Sequence, residues 1–396
     1  MSALARPPSR LPVRAWPEPK PSIPLHPTLW PSMVRPSANS GLPFPLADPN
    51  SRSFSFARYG ILRVAEALRL TGREVLFPGF FHSVELEALV AAGAQVRFFP
   101  VSRRLAIDPD EVAARIGPRT AAVYVIHYWG FPTAIREFRD LCREHGLVLI
   151  EDCAHALLSY ADDQPLGSFG EAAVFSLPKS LPTPDGGVAV LRGGWPSAPP
   201  NREPRPAWLA AHALSLVLSN LEMRDIPAAS RAHSLGVRVG KAVFRAAGHD
   251  YVPMGTPNFD VRQADTTMSG LSRRILMRQD FQGIVARRRR NYRYLLEQLA
   301  DIAPPIFSEL GSGVCPLFYA FTTGDRPTVL RQLRAQGFEI GEFWPEHHPL
   351  GPNGEFSGVN DLRTTALWLP CHQDLTRDML DRLALAVRCA LEERSA

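Results

Sequence analysis

Helix-like and strand-like apolar patterns alternate along the chain from about residue 53 onward. Helical spacing over ARYGILRVAEALRL and HSVELEALVAAG is interleaved with short strand-like runs such as EVLFPG and QVRFFPV. Two later strand-like runs, TAAVYVIHYWG and LVLIED, are apolar over most of their length. Strands that are buried on both faces and alternate with helices form a mostly parallel sheet. The pattern therefore predicts a doubly wound α/β domain that binds its ligands at the carboxyl ends of the strands.

Composition divides the chain into three predicted regions. Residues 1–50 contain 13 of the 38 prolines, which predicts an extended, proline-rich arm or linker of a kind suited to wrapping a partner subunit. Residues 51–265 carry the alternating pattern and are predicted to form the large domain. Residues 266–396 begin with a long helical segment and predict a smaller C-terminal α+β domain. A chain of 396 residues that is 45% hydrophobic is long enough to build both cores.

Charge and cysteine usage argue against several classes of protein. The net charge of +5 is spread along the chain, and the one dense basic run, at 287–290, resembles a solvated helix face, which argues against nucleic-acid binding. The five cysteines are scattered without a C-x-x-C pair, which predicts free thiols in a reducing cytoplasm and no zinc site. His347 and His348 are adjacent and would point to opposite faces of a strand, so they predict no metal site. No apolar run approaches the roughly 20 residues of a membrane span.

Lysine is rare in this chain, and one lysine lies in an unusual place. Only three of the 44 Lys and Arg residues are lysine, namely Lys20, Lys179 and Lys241. A buried lysine can lose its proton and form a Schiff base, whereas arginine stays charged and is a poor nucleophile. Lys179 follows the end of a predicted strand by three residues and is therefore a candidate catalytic residue. A solvated surface lysine is the alternative.

Three predicted strands end in residues that can carry chemistry. LVLIED ends at Asp152, TAAVYVIH ends at His127, and GEAAVFS ends at Ser176, three residues before Lys179. Since the carboxyl ends of parallel strands meet at one edge of a sheet, we expect these side chains to converge on one crevice. The chain contains no Gly-rich dinucleotide fingerprint and no P-loop.

Several longer segments follow one another in a specific order, namely FPGFFHSVELEALVAAGAQVRFFPV, IDPDEVAARIGPRTAAVYVIHYWGFP, HGLVLIEDCAHA, PLGSFGEAAVFSLPKSL followed by DGG, and LWLPCHQDLT. Taken together and in this order, they resemble the DegT/StrS family of sugar aminotransferases, pyridoxal 5'-phosphate enzymes of the aspartate-aminotransferase fold (fold type I). The resemblance covers residues 55–192, with weaker matches from 270 to the C-terminus.

The resemblance implies a role for each matching position. Lys179 is the Schiff-base lysine and the acid and base of the proton shift, and Asp152 is the partner of the pyridine nitrogen. His155 lies near the phenolic oxygen of the cofactor, Ser176 contacts its phosphate, and His82 stacks on its ring. A helix N-cap is the alternative for Asp152, and ordinary buried histidines are the alternative for His155 and His82.

Two segments depart from the family pattern. The phosphate loop is replaced by ARYG at 57–60, so Tyr59 and Gly60 would have to donate through their backbone at a helix N-terminus. The segment DTTMS at 265–269 replaces a stretch that reaches the neighbouring subunit's phosphate. We therefore expect a homodimer with a shared site, in which basic side chains from the partner complete the phosphate site; helix-face solvation is the alternative for Arg273, Arg274 and Arg278.

The sequence thus predicts a cytoplasmic, homodimeric aminotransferase that transfers an amino group, from glutamate, to a keto sugar of a nucleotide sugar. One alternative is a pyridoxal-phosphate enzyme that acts on a non-sugar keto substrate. The other is a catalytically degenerate homologue with a scaffold or regulatory role.

Overall fold

A computed structural model describes most of the chain. The described residues are 22–34, 41–226, 259–342, 344, 348–352 and 354–392. Lys20, Lys241, His347 and the first 21 residues of the predicted arm lie outside them.

A mixed sheet of seven strands forms the larger layer, and its strand order is β1-β9-β8-β5-β4-β2-β3. The five strands from β8 to β3 are parallel, whereas β9 is antiparallel to both of its neighbours. The predicted mostly parallel α/β sheet is therefore confirmed. The strands up to β9, including the hairpin β6–β7, are β1 (Ser51–Phe54), β2 (Glu74–Pro78), β3 (Gln95–Phe99), β4 (Thr120–Ile126), β5 (Val148–Asp152), β6 (Tyr160–Ala161), β7 (Gln164–Pro165), β8 (Ala172–Ser176) and β9 (Gly187–Leu191).

Helices connect these strands in the predicted alternation. Short capping signals define several of their N-termini, as at α3, where Asp108 accepts a hydrogen bond from the amide of Asp110 and a proline follows. Among the described helices, none combines the length and apolar composition that a membrane crossing needs. The helices up to the C-terminal unit are α1 (Ala57–Ala67), α2 (Ser83–Ala91), α3 (Pro109–Ala113), α4 (Ile135–His145), α5 (Leu177–Ser180), α6 (Pro206–Met223), α7 (Gly270–Leu276) and α8 (Phe281–Leu299).

Residues 318–392 form an α+β layer, the C-terminal unit, and the predicted domain boundary at residue 266 stays a prediction. The antiparallel sheet of this unit has the order β10-β12-β11. The strand predicted over FEIGEF is shorter than expected within the described residues, because only Gly341–Glu342 pairs with β12. The elements are β10 (Phe318–Thr322), α9 (Arg326–Ala335), β11 (Gly341–Glu342), α10 (Ser357–Thr365), β12 (Ala366–Pro370) and α11 (Arg377–Glu392).

Residues 22–28 of the proline-rich arm pack on the C-terminal part of their own chain. The amide of Ile23 donates to the carbonyl of Gly337 (2.8 Å), and Ile23 is fully buried. Further along, the amide of Thr28 donates to Asp374 Oδ2 (2.8 Å). These contacts place the His26 ring 5.5 Å from the ring of Phe318, which begins the first strand of the C-terminal unit.

The N-terminus of α1 lies close against the start of β9. A Cβ at Gly187 would lie 2.3 Å from the amide nitrogen of Ala57, so only glycine allows this approach. Because β9 pairs with β8, the contact sets the first turn of α1 beside the carboxyl end of β8. That edge of the sheet is the place where the predicted site residues lie.

Candidate active site

A cavity of about 400 Å³ lies between the carboxyl ends of the parallel strands and the C-terminal unit. Its floor is formed by the large sheet and the first turns of two helices, and its roof by the arm and aromatic residues of the C-terminal unit. Ligand pockets of α/β proteins have this location and size. Side chains that carry polar groups or rings in its wall include His26, Phe56, Arg58, His82, Glu85, Trp129, Asp152, His155, Ser176, Lys179, Phe318, Glu342, Trp344 and Trp368.

Lys179 lies on α5, which begins directly after β8 and has a proline in its first turn. Its Nζ donates to His155 Nε2 at 2.9 Å inside the cavity. Burial lowers the pKa of the Lys179 ammonium, and Arg58 acts in the same direction, whereas Glu85 and Asp152 oppose the shift. Lys179 is thus a buried amine that loses its proton more easily than a lysine in water. The alternative of a solvated surface lysine does not describe it.

Asp152 ends β5 and points into the cavity. Its Oδ2 accepts from the Tyr124 hydroxyl (2.7 Å) and its Oδ1 from the amide of Ala154 (2.8 Å). Burial raises the pKa of this carboxyl, while the hydrogen bonds from Tyr124 and Ala154 and the Lys179 charge lower it. The chain continues as a turn rather than as a helix, so Asp152 caps no helix in the described structure. Tyr124, Ala154 and the Lys179 charge therefore stabilise the ionised form of Asp152 against the cost of its burial.

The neighbouring residue Glu151 points to the opposite face of the sheet, as strand geometry requires. Its carboxylate accepts from the amides of Gly167 (2.8 Å), Phe169 and Gly170 (both 2.7 Å). His127 Nδ1 accepts from the amide of Thr133 (3.2 Å), so Nε2 carries the proton and donates to Glu151 Oε2 (3.1 Å). The prediction that His127 shares the crevice is therefore wrong, because its side chain lies on the other face of the sheet. There His127, Glu151 and the backbone amides that they bind form a buried hydrogen-bonded cluster, which we call the clamp.

This clamp resembles a metal site only in composition. Atoms of metal-ligand type from His127, Glu151 and Cys153 lie within 4.8 Å of one another. The Glu151 oxygens already accept three backbone amides, and the His127 ring uses both nitrogens in hydrogen bonds. The carboxylate of Glu151 and the ring of His127 are therefore already used in holding the turn that leads into β8.

The two predicted histidines lie in the cavity wall. His82 precedes α2, and its Nδ1 accepts from the amide of Val84 at 3.4 Å. The ring of His155 lies nearly parallel to the Trp344 ring, with centroids 6.1 Å apart. Burial, and then the Lys179 charge, hold the pKa of His155 well below its usual range. Both rings therefore face the cavity, and His155 is a neutral hydrogen-bonding group.

The phosphate-loop segment ARYG lies in the first turn of α1, but its residues divide between cavity and core. Ala57 and Arg58 line the cavity. The amide of Tyr59 donates to the Phe56 carbonyl at 3.2 Å, and a Cβ at Gly60 would lie 3.1 Å from Ala189. Donation from Tyr59 and Gly60 to a phosphate stays a prediction.

Arg58, Glu85 and the aromatic roof were not predicted from the sequence. Arg58 is 8% exposed, and burial lowers the pKa of its guanidinium, with Tyr59, Glu85 and Glu87 opposing. The sequence did contain one signal for Arg58: it lies in the first turn of a predicted helix, and the N-terminus of a helix attracts anions. The remaining residues come from α2 and the C-terminal unit, which only the tertiary fold brings together. Ser176, by contrast, lines the cavity as predicted.

The DTTMS segment binds the turn after Lys179 rather than the cavity. The Ser269 hydroxyl and amide donate to Asp185 (2.6 and 2.8 Å), and Ser272 also binds that carboxyl. Arg273 donates to Thr267 Oγ1 at 2.9 Å. In the described single chain, the cavity wall contains none of the three predicted bridging arginines, Arg273, Arg274 and Arg278.

Comparison with known proteins agrees with this geometry. The sequence profile of the DegT/DnrJ/EryC1/StrS aminotransferase family matches residues 59–194, the stretch that contains His82, Asp152, His155 and Lys179. Residues 59–194 are thus similar to this family. The crystal structure of DesI in the presence of its TDP-sugar product is 27% identical in sequence to this chain. The structural match covers 87% of this chain and 81% of the DesI chain, with a TM-score of 0.59.

Two curated relatives align over a shorter stretch. GDP-perosamine synthase of Vibrio cholerae is 35% identical over 128 residues, which is 31% of this chain and 35% of the relative. L-glutamine:2-deoxy-scyllo-inosose aminotransferase of Streptomyces kanamyceticus is 33% identical over 122 residues, which is 30% of this chain and 29% of the relative. The chain thus aligns with about a third of the length of these relatives.

The buried clamp predicts a large stability effect. In Glu151→Gln, an NH2 group replaces one carboxylate oxygen and faces buried amide donors, so we expect the free energy of unfolding to fall by about 3 kcal/mol. Urea unfolding followed by circular dichroism measures it. The control is Glu137→Gln on the exposed face of α4, which we expect to change stability by less than about 0.5 kcal/mol. Equal stabilities of the two variants would contradict the clamp.

Proposed function

We propose that the chain is a pyridoxal 5'-phosphate-dependent aminotransferase that moves an amino group, from glutamate, onto a keto sugar of a nucleotide sugar. The observation that carries the proposal is the buried Lys179 amine, 2.9 Å from His155 Nε2 in a cavity that it shares with Asp152. A lysine with a lowered pKa next to a buried carboxylate has the chemistry of a Schiff-base site.

The donor set of the cavity fits this cofactor. Asp152 supplies the negative charge that a protonated pyridine nitrogen needs, and burial raises the pKa of its carboxyl although the hydrogen bond from Tyr124 and the Lys179 charge oppose the shift. Arg58 supplies a buried cation at the N-terminus of α1, where a phosphate ester would be attracted. His82 supplies a ring in the wall, and Ser176 a hydroxyl. When bound, the cofactor supplies an electron sink for the carbanion that amino transfer creates.

The chain's own residues would transfer the proton, position the lysine and exclude water. Lys179 holds and moves the proton, because its Nζ is buried and has a lowered pKa. His155 positions that amine by accepting its hydrogen bond. The roof excludes water, since Trp344, Trp368 and Phe318 close the cavity from the side of the C-terminal unit.

The relatives support two classes of acceptor. GDP-perosamine synthase and DesI, the latter solved with a TDP-sugar, support a nucleotide sugar. The inosose aminotransferase supports the alternative, a keto cyclitol outside the sugars, with glutamine as the amino donor. We propose the nucleotide sugar as the substrate and a homodimer as the active form.

Lys179 is predicted to be the only residue that becomes linked to the cofactor. Borohydride reduction of protein incubated with pyridoxal 5'-phosphate, followed by peptide mapping, should label the peptide that contains Lys179. Lys179→Arg keeps the charge but cannot form the bond, so the label should disappear. Label at Lys20 or Lys241 in the unchanged chain would contradict the assignment.

Asp152→Asn is predicted to keep cofactor binding but to lower turnover by at least about a hundredfold, because a neutral amide does not stabilise a protonated pyridine nitrogen. Cofactor absorbance and steady-state rates measure the two effects separately. Tyr124→Phe is the matched control, since it removes one hydrogen bond to Asp152 and leaves the carboxylate. A rate near that of the unchanged chain in Asp152→Asn would make the carboxyl a purely structural group.

The acceptor class is tested with a small substrate panel. The purified protein is incubated with glutamate or glutamine and either GDP- and TDP-linked 4-keto sugars or scyllo-inosose, and amino products are measured by mass spectrometry. We expect product from a nucleotide-linked sugar. Product from the cyclitol alone would select the alternative substrate, and cofactor binding without product from any acceptor would favour a degenerate homologue.

A further inference from the structure

A second buried carboxyl, that of Glu85, faces the cavity. Glu85 lies in the first turn of α2 and is 6% exposed. Its Oε2 accepts no hydrogen bond from any described residue and lies 3.9 Å from His82 Nδ1. A buried carboxylate oxygen is normally hydrogen-bonded, because the unpaired ionised form is strongly destabilised. Among the described residues, only the other side of this carboxyl is satisfied, by the backbone amide of Glu85 itself, so Oε2 is available to a bound ligand.

Ionisable groups from every neighbouring element surround this carboxyl. Asp152 on β5 raises the pKa of Glu85, whereas Lys179 and Arg58 lower it. The hydroxyls of Tyr124 and Tyr128 also interact with its charge. Within the described parts of the chain, the groups around Glu85 are Arg58, His82, Tyr124, Tyr128, Asp152 and Lys179. Glu85 therefore interacts both with the negative Asp152 and with the cation at the start of α1.

A helix-capping role alone does not account for Glu85. A carboxylate in the first turn of a helix is stabilised in its ionised form, which lowers its pKa. Here burial, followed by the charge of Asp152, raises the pKa of Glu85 to about 8. At neutral pH the group is therefore mostly the neutral acid, and its O–H is a hydrogen-bond donor that an anion can accept.

We propose that Glu85 holds a proton whenever the cavity binds a phosphate ester, so that phosphate binding and proton uptake are coupled. This inference rests on the proposed function, which brings a phosphate dianion beside Arg58. An ionised Glu85 would add a further negative charge to Asp152 and the dianion in a poorly solvated space. Protonation removes that charge and converts the unpaired Oε2 into part of a donor group. The neutral acid is thus the binding-competent form.

Pyridoxamine 5'-phosphate is the probe that tests this coupling, because it carries an amine in place of the aldehyde and forms no covalent bond with Lys179. We expect its dissociation constant for the unchanged chain to rise about tenfold between pH 7 and pH 9, as the protonated fraction of Glu85 falls. In Glu85→Gln, the side chain is always neutral and has nearly the same shape. The tenfold rise of the dissociation constant between pH 7 and pH 9 should therefore disappear in this variant. Glu87→Gln, on the same helix and also near Arg58, is the matched control and should keep it. Identical pH profiles for the unchanged chain and Glu85→Gln overturn the inference.

Calorimetry of the unchanged chain keeps the test independent of how the variant folds. Titrations at pH 8 in two buffers of different ionisation enthalpy measure the protons taken up on binding. We expect about half a proton more for pyridoxamine 5'-phosphate than for pyridoxamine, which shares the ring but lacks the phosphate. Equal uptake for the two ligands contradicts the coupling and leaves the proposed function intact. Absence of pyridoxamine 5'-phosphate binding at every pH contradicts the proposed function itself.

Discussion

Burial of the Lys179 amine among carboxyl groups is the constraint on which the rest of the site depends. An ammonium loses hydration when it is buried, which lowers its pKa, and nearby carboxylates oppose that loss. The same burial raises the pKa of Asp152 and Glu85. The charge of each of these three groups thus depends on the charges of the other two. A cofactor with a cationic ring nitrogen and an anionic phosphate would compensate the carboxylate charge and the cationic side chains of the cavity.

The C-terminal half of the chain holds the lysine turn in place. Arg288, inside the basic run at 287–290, is 1% exposed, and its guanidinium donates to the Ser180 carbonyl at 3.1 Å. Gln373 donates to the same carbonyl (3.1 Å), and the His26 ring donates to the carbonyl of Lys179 (3.3 Å). The expectation that the whole run forms a solvated face was therefore wrong for Arg288. Its guanidinium instead links α8 to α5, since its planar group satisfies several carbonyls at once.

The sheet and the residues at its strand ends were predictable because periodicity and strand polarity are local properties. Asp152, Ser176 and Lys179 come directly at or after strand ends, and parallel strands bring such ends to one edge. His127 has the same signal and was misplaced, because the face to which it points depends on its register against Glu151. Tyr59 was predicted as a phosphate donor from its place in ARYG, and this role stays a prediction, while its neighbour Arg58 lines the cavity.

The sequence by itself determined the mostly parallel α/β sheet, the similarity of residues 59–194 to the aminotransferase family, and the placement of Lys179 and Asp152 after their strands. These features depend on apolar spacing and on short motifs, which are readable along the chain. Only the tertiary structure decided that Glu85, Arg58 and His26 share a cavity with them, since these residues come from α2, α1 and the arm. Their burial and charge depend on packing between distant segments, and electrostatic interactions act through space rather than along the sequence.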